Sequence, residues 1–176
     1  MENFAKNLFN NIKADNIRLK SMIEEKILNL IVLGDAKENS DYKLIWDVLD
    51  CYRNYVSPDF YVYIYNSKLE NNEILNKIIH YYNLDKFVSF INNDNIKDTF
   101  TTFLGSDIAI LLNDVKDEDL SLVEYFMLPS IVTNKELVKC NNKFLYIEDN
   151  PEDIASALSI LNLNIDYRRK LVLGND

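Results

Sequence analysis

Glycine, proline and histidine are scarce in this sequence, which has three Gly, three Pro and one His among its 176 residues. Turns must therefore depend on the numerous Asn and Asp residues, whose side chains bond their own main chain and tolerate left-handed backbone. The one histidine, His80, lies near the end of an amphipathic segment, and no nucleophile motif accompanies it. We expect it to interact favourably with a helix dipole and not to act as a base or a metal ligand.

Cysteine and positive charge are also limited. Cys51 and Cys140 have no metal-type spacing, so we expect reduced thiols and no metal site. The 19 Lys and Arg residues stand against 28 Asp and Glu and leave a formal net charge of -9. Such a surface repels nucleic acid and anionic lipid, and we expect neither as a partner.

Long apolar runs are missing as well. The longest is too short to cross a bilayer, and the N-terminus has no basic segment followed by an apolar core. We therefore expect a cytoplasmic protein without a transmembrane segment. The content of 48% hydrophobic and 27% charged residues is that of an ordinary globular domain, and the length favours a single one.

From residue 27 onward, the sequence alternates short apolar runs with longer amphipathic segments. This alternation is typical of βαβ units and a parallel sheet. Most of the short runs are apolar throughout, as expected for strands that are covered on both faces. The six predicted strands are Ile27–Leu33, Phe60–Tyr65, Phe87–Ile91, Ile108–Leu112, Ser130–Thr133 and Phe144–Ile147.

The segments between these strands have apolar residues at helical spacing. Asn150 is a strong N-cap candidate for the last of them, because Pro151 occupies the first helical position after it. The sequence thus predicts an α/β fold: a Rossmann-like, doubly wound parallel sheet of about six strands, with a ligand site at their carboxyl ends. The five predicted helices are Asp41–Tyr55, Leu69–Tyr82, Ile96–Leu104, Leu120–Leu128 and Pro151–Leu161.

Residues 1–26 precede the first predicted strand and form an amphipathic pattern of their own. We interpret them as a helical extension to a domain that comprises residues 27–176. The apolar face of the extension docks on this domain or contacts a partner protein or a second copy of the chain, and the sequence leaves these alternatives open. The apolar residues of the pattern are Phe4, Leu8, Phe9, Ile12, Leu19, Met22 and Ile23.

Five motifs follow one another in an order that is known from a protein family. They are LIVLGDAKENSDYKLIWDVL, DFYVYIYNS, LDKFVSFINNDNIKDTFTTFLGSDIAILLND, LVEYFMLPSIVTN and KFLYIEDNPEDIASALSILN. In this order they resemble the C-terminal, nucleotide-sugar-binding domain of retaining GT-B glycosyltransferases of group 1, family 4-like. The resemblance implies a nucleotide sugar as the ligand, with no other cofactor and no metal.

The spacing of acidic residues is the most specific part of this resemblance. In the family, the aspartate of one strand is followed nine residues later by a first Glu and seventeen residues later by a second. Asp107 is followed at these offsets by Lys116 and Glu124. The resemblance implies that Glu124 binds the ribose hydroxyls of the donor, which suits a carboxylate; the alternative is a helix glutamate bonded to a backbone amide or to solvent. The implied donor site consists of Glu124, Gly34, Lys116, Asn92, Leu120, Ser121 and Lys37, with no catalytic residue assigned.

The phosphate-binding part of the motif departs from the family. Asp117, Glu118 and Asp119 stand where the family has a glycine-rich stretch. Their carboxylates favour a helix start, but they neutralise its positive end and would repel a diphosphate. Asp35 also replaces the Arg that follows the family's first strand. The donor motif is therefore degenerate.

Only 26 residues precede the first predicted strand, too few for the second βαβ domain that a complete GT-B enzyme needs. The leading prediction is therefore a glycosyltransferase-like, nucleotide-sugar-binding half of a GT-B enzyme. If active, it would transfer a hexosyl group with retention and would need a partner that supplies the acceptor domain. The alternative is a non-catalytic interaction or scaffold protein that retains the GT-B fold.

Overall fold

The computed structural model describes residues 27–34, 39–65, 73–91, 96–140 and 144–173. The predicted extension, residues 1–26, lies outside these ranges, and so do two of the predicted donor-site residues, Lys37 and Asn92. The boundary that the sequence predicts at residue 27 therefore stays a prediction.

Six strands form one parallel sheet, and each lies within one residue of its predicted bounds at either end. The strand order is β3-β2-β1-β4-β5-β6, and every neighbouring pair is parallel. This is the Rossmann order, which leaves a crevice at the carboxyl ends of β1 and β4, where the winding reverses. The predicted α/β, Rossmann-like sheet is thereby confirmed. The strands are β1 (Leu28–Leu33), β2 (Phe60–Tyr65), β3 (Val88–Ile91), β4 (Ile108–Leu111), β5 (Ser130–Val132) and β6 (Phe144–Tyr146).

Seven helices in the described ranges cover both faces of the sheet. Side chains alternate along β1, so that Leu30 and Val32 contribute to one core and Ile31 and Leu33 to the other. Helices α1, α2 and α6 pack on the first face, and α3, α4 and α5 on the second. The helices are α1 (Asn39–Tyr55), α2 (Glu73–Tyr81), α3 (Ile96–Gly105), α4 (Asp117–Tyr125), α5 (Lys135–Cys140), α6 (Pro151–Leu163) and α7 (Ile165–Leu173).

Helix α4 corrects the predicted range of Leu120–Leu128. It begins three residues earlier, because the carboxylates of its first turn favour a helix start. It also ends three residues earlier, where Met127 takes a left-handed φ of 49° and Pro129 follows. Glu124 therefore lies one residue from the end of the helix instead of near its middle.

Two helices, α5 and α7, have no counterpart among the predicted elements. Helix α5 has six residues, which is too short to show a helical period. Helix α7 has no fully buried side chain, so its apolar stripe is weak. Its start nevertheless carries a local signal, because the side chain of Asn164 accepts a hydrogen bond from the Tyr167 amide at 2.9 Å. The predicted N-cap of α6 is confirmed, since Asn150 accepts from the Glu152 amide at 3.0 Å.

A buried ion pair ties α7 to the amino end of β4. The Asp107 carboxylate, 1% exposed, lies 3.7 Å from the guanidinium of Arg168, which is 13% exposed. Its other oxygen accepts a hydrogen bond from the Asn29 amide in β1 at 3.0 Å. Burial lowers the pKa of Arg168 from its ordinary value, and the charge of Asp107 opposes that shift. Asp107 thus contacts both β1 and the last helix.

Candidate functional site

The crevice of this sheet lies where β1 and β4 end side by side. The Leu112 amide, which follows β4, donates to the Leu33 carbonyl at the end of β1 at 2.9 Å. Gly34 and Asn113 come next in their two segments, and ligands of such sheets bind at this edge. Groups that could hold a ligand are therefore expected at the carboxyl edge.

Gly34 is required by the local packing of the chain itself. Its φ is +126°, which side chains of L-residues rarely adopt, and it is buried. A Cβ added at this position would lie 2.9 Å from Cβ of Leu112 and 3.4 Å from the amide nitrogen of Val115. The space beside Gly34 is thus filled by the segment that joins β4 to α4.

The start of α4 brings three predicted donor-site residues together. Lys116 is the N-cap residue, with extended backbone and no side-chain capping bond, and its side chain is exposed. Ser121 donates its hydroxyl to the Asp117 carbonyl at 2.8 Å, one turn back in the same helix. Leu120 is half-buried and packs against the second core. Of these three residues, Lys116 is the exposed charge at this edge.

The negative charges of the first turn of α4 act on Tyr65, the last residue of β2. Burial raises the pKa of Tyr65 above its ordinary value, while a hydrogen bond with Thr99 lowers it. The charges of Asp119 and Glu118 raise the pKa further, and that of Lys116 lowers it. The carboxylates of this first turn thus contribute a negative potential at this end of the sheet.

Glu124 lies one residue from the end of α4 and is exposed. It stands eight positions after Lys116, which corresponds to about 12 Å along the axis. Its carbonyl accepts a hydrogen bond from the Met127 amide at 3.1 Å, where the helix ends. The structure thus places Glu124 two turns from Lys116 but about one turn from Leu120 and Ser121, and the ribose-binding role implied for Glu124 stays a prediction.

A cavity opens on the other side of the same edge, between α1 and α6 above the ends of β4 and β5. We call it the carboxyl-edge cavity, and its volume is about 290 Å³. The side chains of Thr133 and Asn113 approach within 3.5 Å of each other at its floor. The charged groups at its wall include Lys43, whose side chain is 73% exposed and whose ammonium lies 3.5 Å from the Asp47 carboxylate. The lining residues are Lys43, Leu44, Asp47, Leu112, Asn113, Thr133, Asp149 and Pro151.

The residues of this cavity were missed in the sequence, except for two partial signals. The segment that begins at Asn113 follows a predicted strand, which placed it at the carboxyl edge, and Lys43 is a cation close to the first turn. Thr133 and Asp149 carried no signal, because their proximity to Asn113 depends on the pairing of β5 with β4 and on the position of α6.

Asp47 is held in place by Tyr82, which follows the end of α2. The Tyr82 hydroxyl donates to the Asp47 carboxylate at 2.7 Å, and Arg53 donates to the Tyr82 carbonyl at 2.8 Å. The bond to Asp47 and burial raise the pKa of Tyr82 from 10.0 to about 12. These contacts join α1 to the end of α2 and orient one wall of the carboxyl-edge cavity.

This contact gives the stability of the protein an alkaline pH dependence. The folded pKa of Tyr82 is raised, so its stabilising contribution is complete below pH 10 and is lost as the pH rises to about 12. We expect Tyr82→Phe to lower the free energy of unfolding by about 1 kcal/mol at neutral pH, and the deficit to shrink between pH 10 and 12. Urea unfolding at several pH values measures this difference. Tyr81→Phe is the control, because Tyr81 is 80% exposed; an equal pH dependence in both variants would contradict the assignment.

The described part of the chain has no group of three or more His, Cys, Asp or Glu residues arranged to hold a metal ion. Cys51 is a free thiol. None of the helices in the described ranges is both long enough and apolar enough to cross a membrane.

Solved structures with the same fold were found, whereas no protein-family model and no curated protein matches the chain. WaaG, a glycosyltransferase involved in lipopolysaccharide biosynthesis, has a TM-score of 0.63 and 13% identity over 93% of this chain. The C-terminal domain of the group 1 glycosyl transferase LpcC from Francisella tularensis has a TM-score of 0.59 and 14% identity over 90% of it. The chain has the fold of a GT-B glycosyltransferase C-terminal domain. The resemblance predicted from the sequence is thereby confirmed at the level of the fold.

The same fold also occurs outside transferases. UDP-GlcNAc 2-epimerase from Neisseria meningitidis, solved with UDP-GlcNAc bound, has a TM-score of 0.61 and 14% identity over 93% of this chain. The chain spans 47% of WaaG and 43% of the epimerase but 86% of the LpcC domain. It thus corresponds to one domain of the longer proteins.

Proposed function

We propose that this chain is a nucleotide-sugar-binding domain of the glycosyltransferase type, corresponding to one half of a GT-B enzyme. The observation that carries the proposal is a Rossmann-ordered sheet with its crevice between β1 and β4, in a fold like that of the LpcC C-terminal domain. The nucleotide sugar bound to the epimerase, which has a similar fold, supports the same ligand class.

In this proposal the donor lies along the carboxyl edge, near Gly34 and the start of α4. Lys116 is the cation closest to the donor phosphates, and Glu124 binds ribose hydroxyls as the family pattern implies. Lys37 and Asn92, which lie outside the described residues, are assigned to the site from the sequence alone. A partner protein supplies the acceptor domain for retaining hexosyl transfer in the cytoplasm, and residues 1–26 provide the contact with it.

Nucleotide sugars test this proposal by thermal unfolding of the full chain. UDP-glucose, UDP-GlcNAc or GDP-mannose at a hundred times its Kd should raise the Tm by roughly 5–10 °C, since only the folded state binds. Glu124→Ala should abolish the rise without lowering the Tm of the free protein, because Glu124 is exposed. Asp166→Ala is the matched control, an exposed carboxylate on α7, and should keep the rise.

The alternative is a non-catalytic interaction protein that kept the fold. Three carboxylates in the first turn of α4 and the packing of Leu112 beside Gly34 favour it, because both oppose diphosphate binding. A Tm that does not change with any of the three nucleotide sugars would support this alternative and contradict the donor-binding proposal.

A further inference from the structure

We infer that the carboxyl-edge cavity binds the uncharged, hydroxyl-bearing part of the ligand, and that the diphosphate of a nucleotide sugar adds no affinity at this site. The inference rests on the proposed function and specifies which part of the donor is recognised. It joins two observations: three carboxylates at the start of α4 lie near the closely packed Gly34, and a separate cavity lined by hydrogen-bonding and apolar groups opens beside them.

The position that a Cβ would take at Gly34, just after β1, is occupied by the chain itself. The segment after β4 packs against Gly34 so closely that an added Cβ would lie 2.9 Å from Cβ of Leu112. Backbone approach of a ligand needs open space beside a glycine, and here a side chain of the chain itself occupies that space. Gly34 therefore serves internal packing.

The negative charge at the start of α4 opposes the binding of a phosphate. Asp117, Glu118 and Asp119 occupy the first turn, where the helix amides would otherwise attract an anion. A diphosphate brought to this turn would meet three negative charges and the exposed cation of Lys116. Electrostatic repulsion therefore opposes the charged part of a nucleotide sugar at this edge.

The carboxyl-edge cavity has the chemistry that hydroxyl groups need. The Asn113 amide and the Thr133 hydroxyl each offer donors and acceptors, and the Asp149 carboxylate accepts from vicinal hydroxyls. The cavity also contains apolar surface from Leu44, Leu112 and Pro151, against which a sugar or a base can pack. Neutral polar groups and apolar surface thus line the same wall.

Its charge and its size also match an uncharged ligand. The ammonium of Lys43 lies 3.5 Å from the Asp47 carboxylate, so its charge is offset within the cavity wall. Tyr82 holds the other Asp47 oxygen at 2.7 Å, which keeps the pair in place. A volume of about 290 Å³ is at the lower end of ligand sites and accommodates one nucleoside or one monosaccharide, but not an entire nucleotide sugar.

Calorimetric titration of the full chain with matched uncharged and charged ligands tests this inference. The probes are uridine and UDP, guanosine and GDP, and free glucose and N-acetylglucosamine. We expect at least one uncharged probe to bind within about threefold of the affinity of its diphosphate, with little change between about 50 and 200 mM salt, because few charges are neutralised. The nucleoside and free-sugar arms distinguish the two sources of hydroxyl groups.

Two sets of variants locate the binding. Asn113→Ala and Thr133→Val should each weaken the uncharged probe about tenfold by removing a hydrogen-bonding group, whereas Ser156→Ala, exposed on α6 and bonded only to its own helix, should not. Replacing the three carboxylates together, as Asp117→Asn, Glu118→Gln and Asp119→Asn, should tighten UDP and GDP about threefold or more and leave the nucleosides unchanged. The Tm of each variant verifies that it is folded.

The outcomes separate this inference from the proposed function. UDP or GDP binding at least tenfold more tightly than its nucleoside, with a steep salt dependence, would overturn the inference and leave nucleotide-sugar binding in place. Uncharged probes whose affinity is insensitive to Asn113→Ala and Thr133→Val would also overturn it. If no nucleoside, sugar, nucleotide or nucleotide sugar binds, both the inference and the proposed function fail.

Discussion

Replacing Asp107 with alanine is expected to lower the free energy of unfolding by about 3–5 kcal/mol, because it leaves the largely buried guanidinium of Arg168 without the carboxylate that it pairs with. The same change removes the acceptor that holds the Asn29 amide at 3.0 Å in β1. Urea unfolding followed by the fluorescence of Trp46, the single and fully buried tryptophan, measures the loss. No other single change proposed for this chain should destabilise it as much.

Two further variants separate the contributions of charge and hydrogen bonding. Asp107→Asn keeps an acceptor for the Asn29 amide and should lose less stability than Asp107→Ala. Arg168→Met added to Asp107→Asn removes the buried charge and should bring stability to within about 1 kcal/mol of the unmodified protein. A loss below about 1 kcal/mol for Asp107→Ala would contradict a buried, structurally important pair.

Replacing Gly34 with alanine should lower the free energy of unfolding by about 2–4 kcal/mol. The positive φ of +126° strains any residue with a Cβ. The new atom would also lie 2.9 Å from Cβ of Leu112. Neither the Leu112 Cβ nor the nearby Val115 backbone can move without displacing the segment that leads into α4. The unfolding midpoint in urea measures this loss.

Gly105 offers a matched control at the end of α3. An added Cβ there meets no atom within 4 Å, so Gly105→Ala should be neutral or stabilising by up to about 1 kcal/mol. Equal losses at Gly34 and Gly105 would show that the close packing beside Gly34 is not a feature of the protein in solution. The comparison of the two glycine variants therefore also tests the close packing beside Gly34, on which the proposed ligand preference of the carboxyl-edge cavity depends.

The sequence predicted the sheet well because each strand is encoded within a short window. Continuous apolar runs such as Ile108–Leu111 fill both faces of a sandwiched strand, and their ends are visible in the composition. The cap at Asn150 was predicted for the same reason, since its partner amide is two residues away. Helices α5 and α7 were missed because one is too short and the other buries no side chain completely.

The candidate site was predictable only where its residues are neighbours in the chain. Lys116, Leu120 and Ser121 lie within one segment, so their grouping at the start of α4 followed from the pattern. Glu124 shares that segment, yet its distance from the carboxyl edge depends on where α4 begins and ends. Thr133 and Asp149 were not predicted, because only the packing of α6 and β5 against neighbouring segments brings them to Asn113.

The sequence by itself determined the succession of the six strands and of five helices, and the two-sided burial of the sheet, since these depend on residue type and on periods of two and 3.6. Only the tertiary structure decided the strand order, the pairing of Asp107 with Arg168, the closed space beside Gly34 and the carboxyl-edge cavity. Each of these joins segments that are distant in the chain. Their contact depends on which strands pair and on the position of the helices against them, and local periodicity carries no information about either.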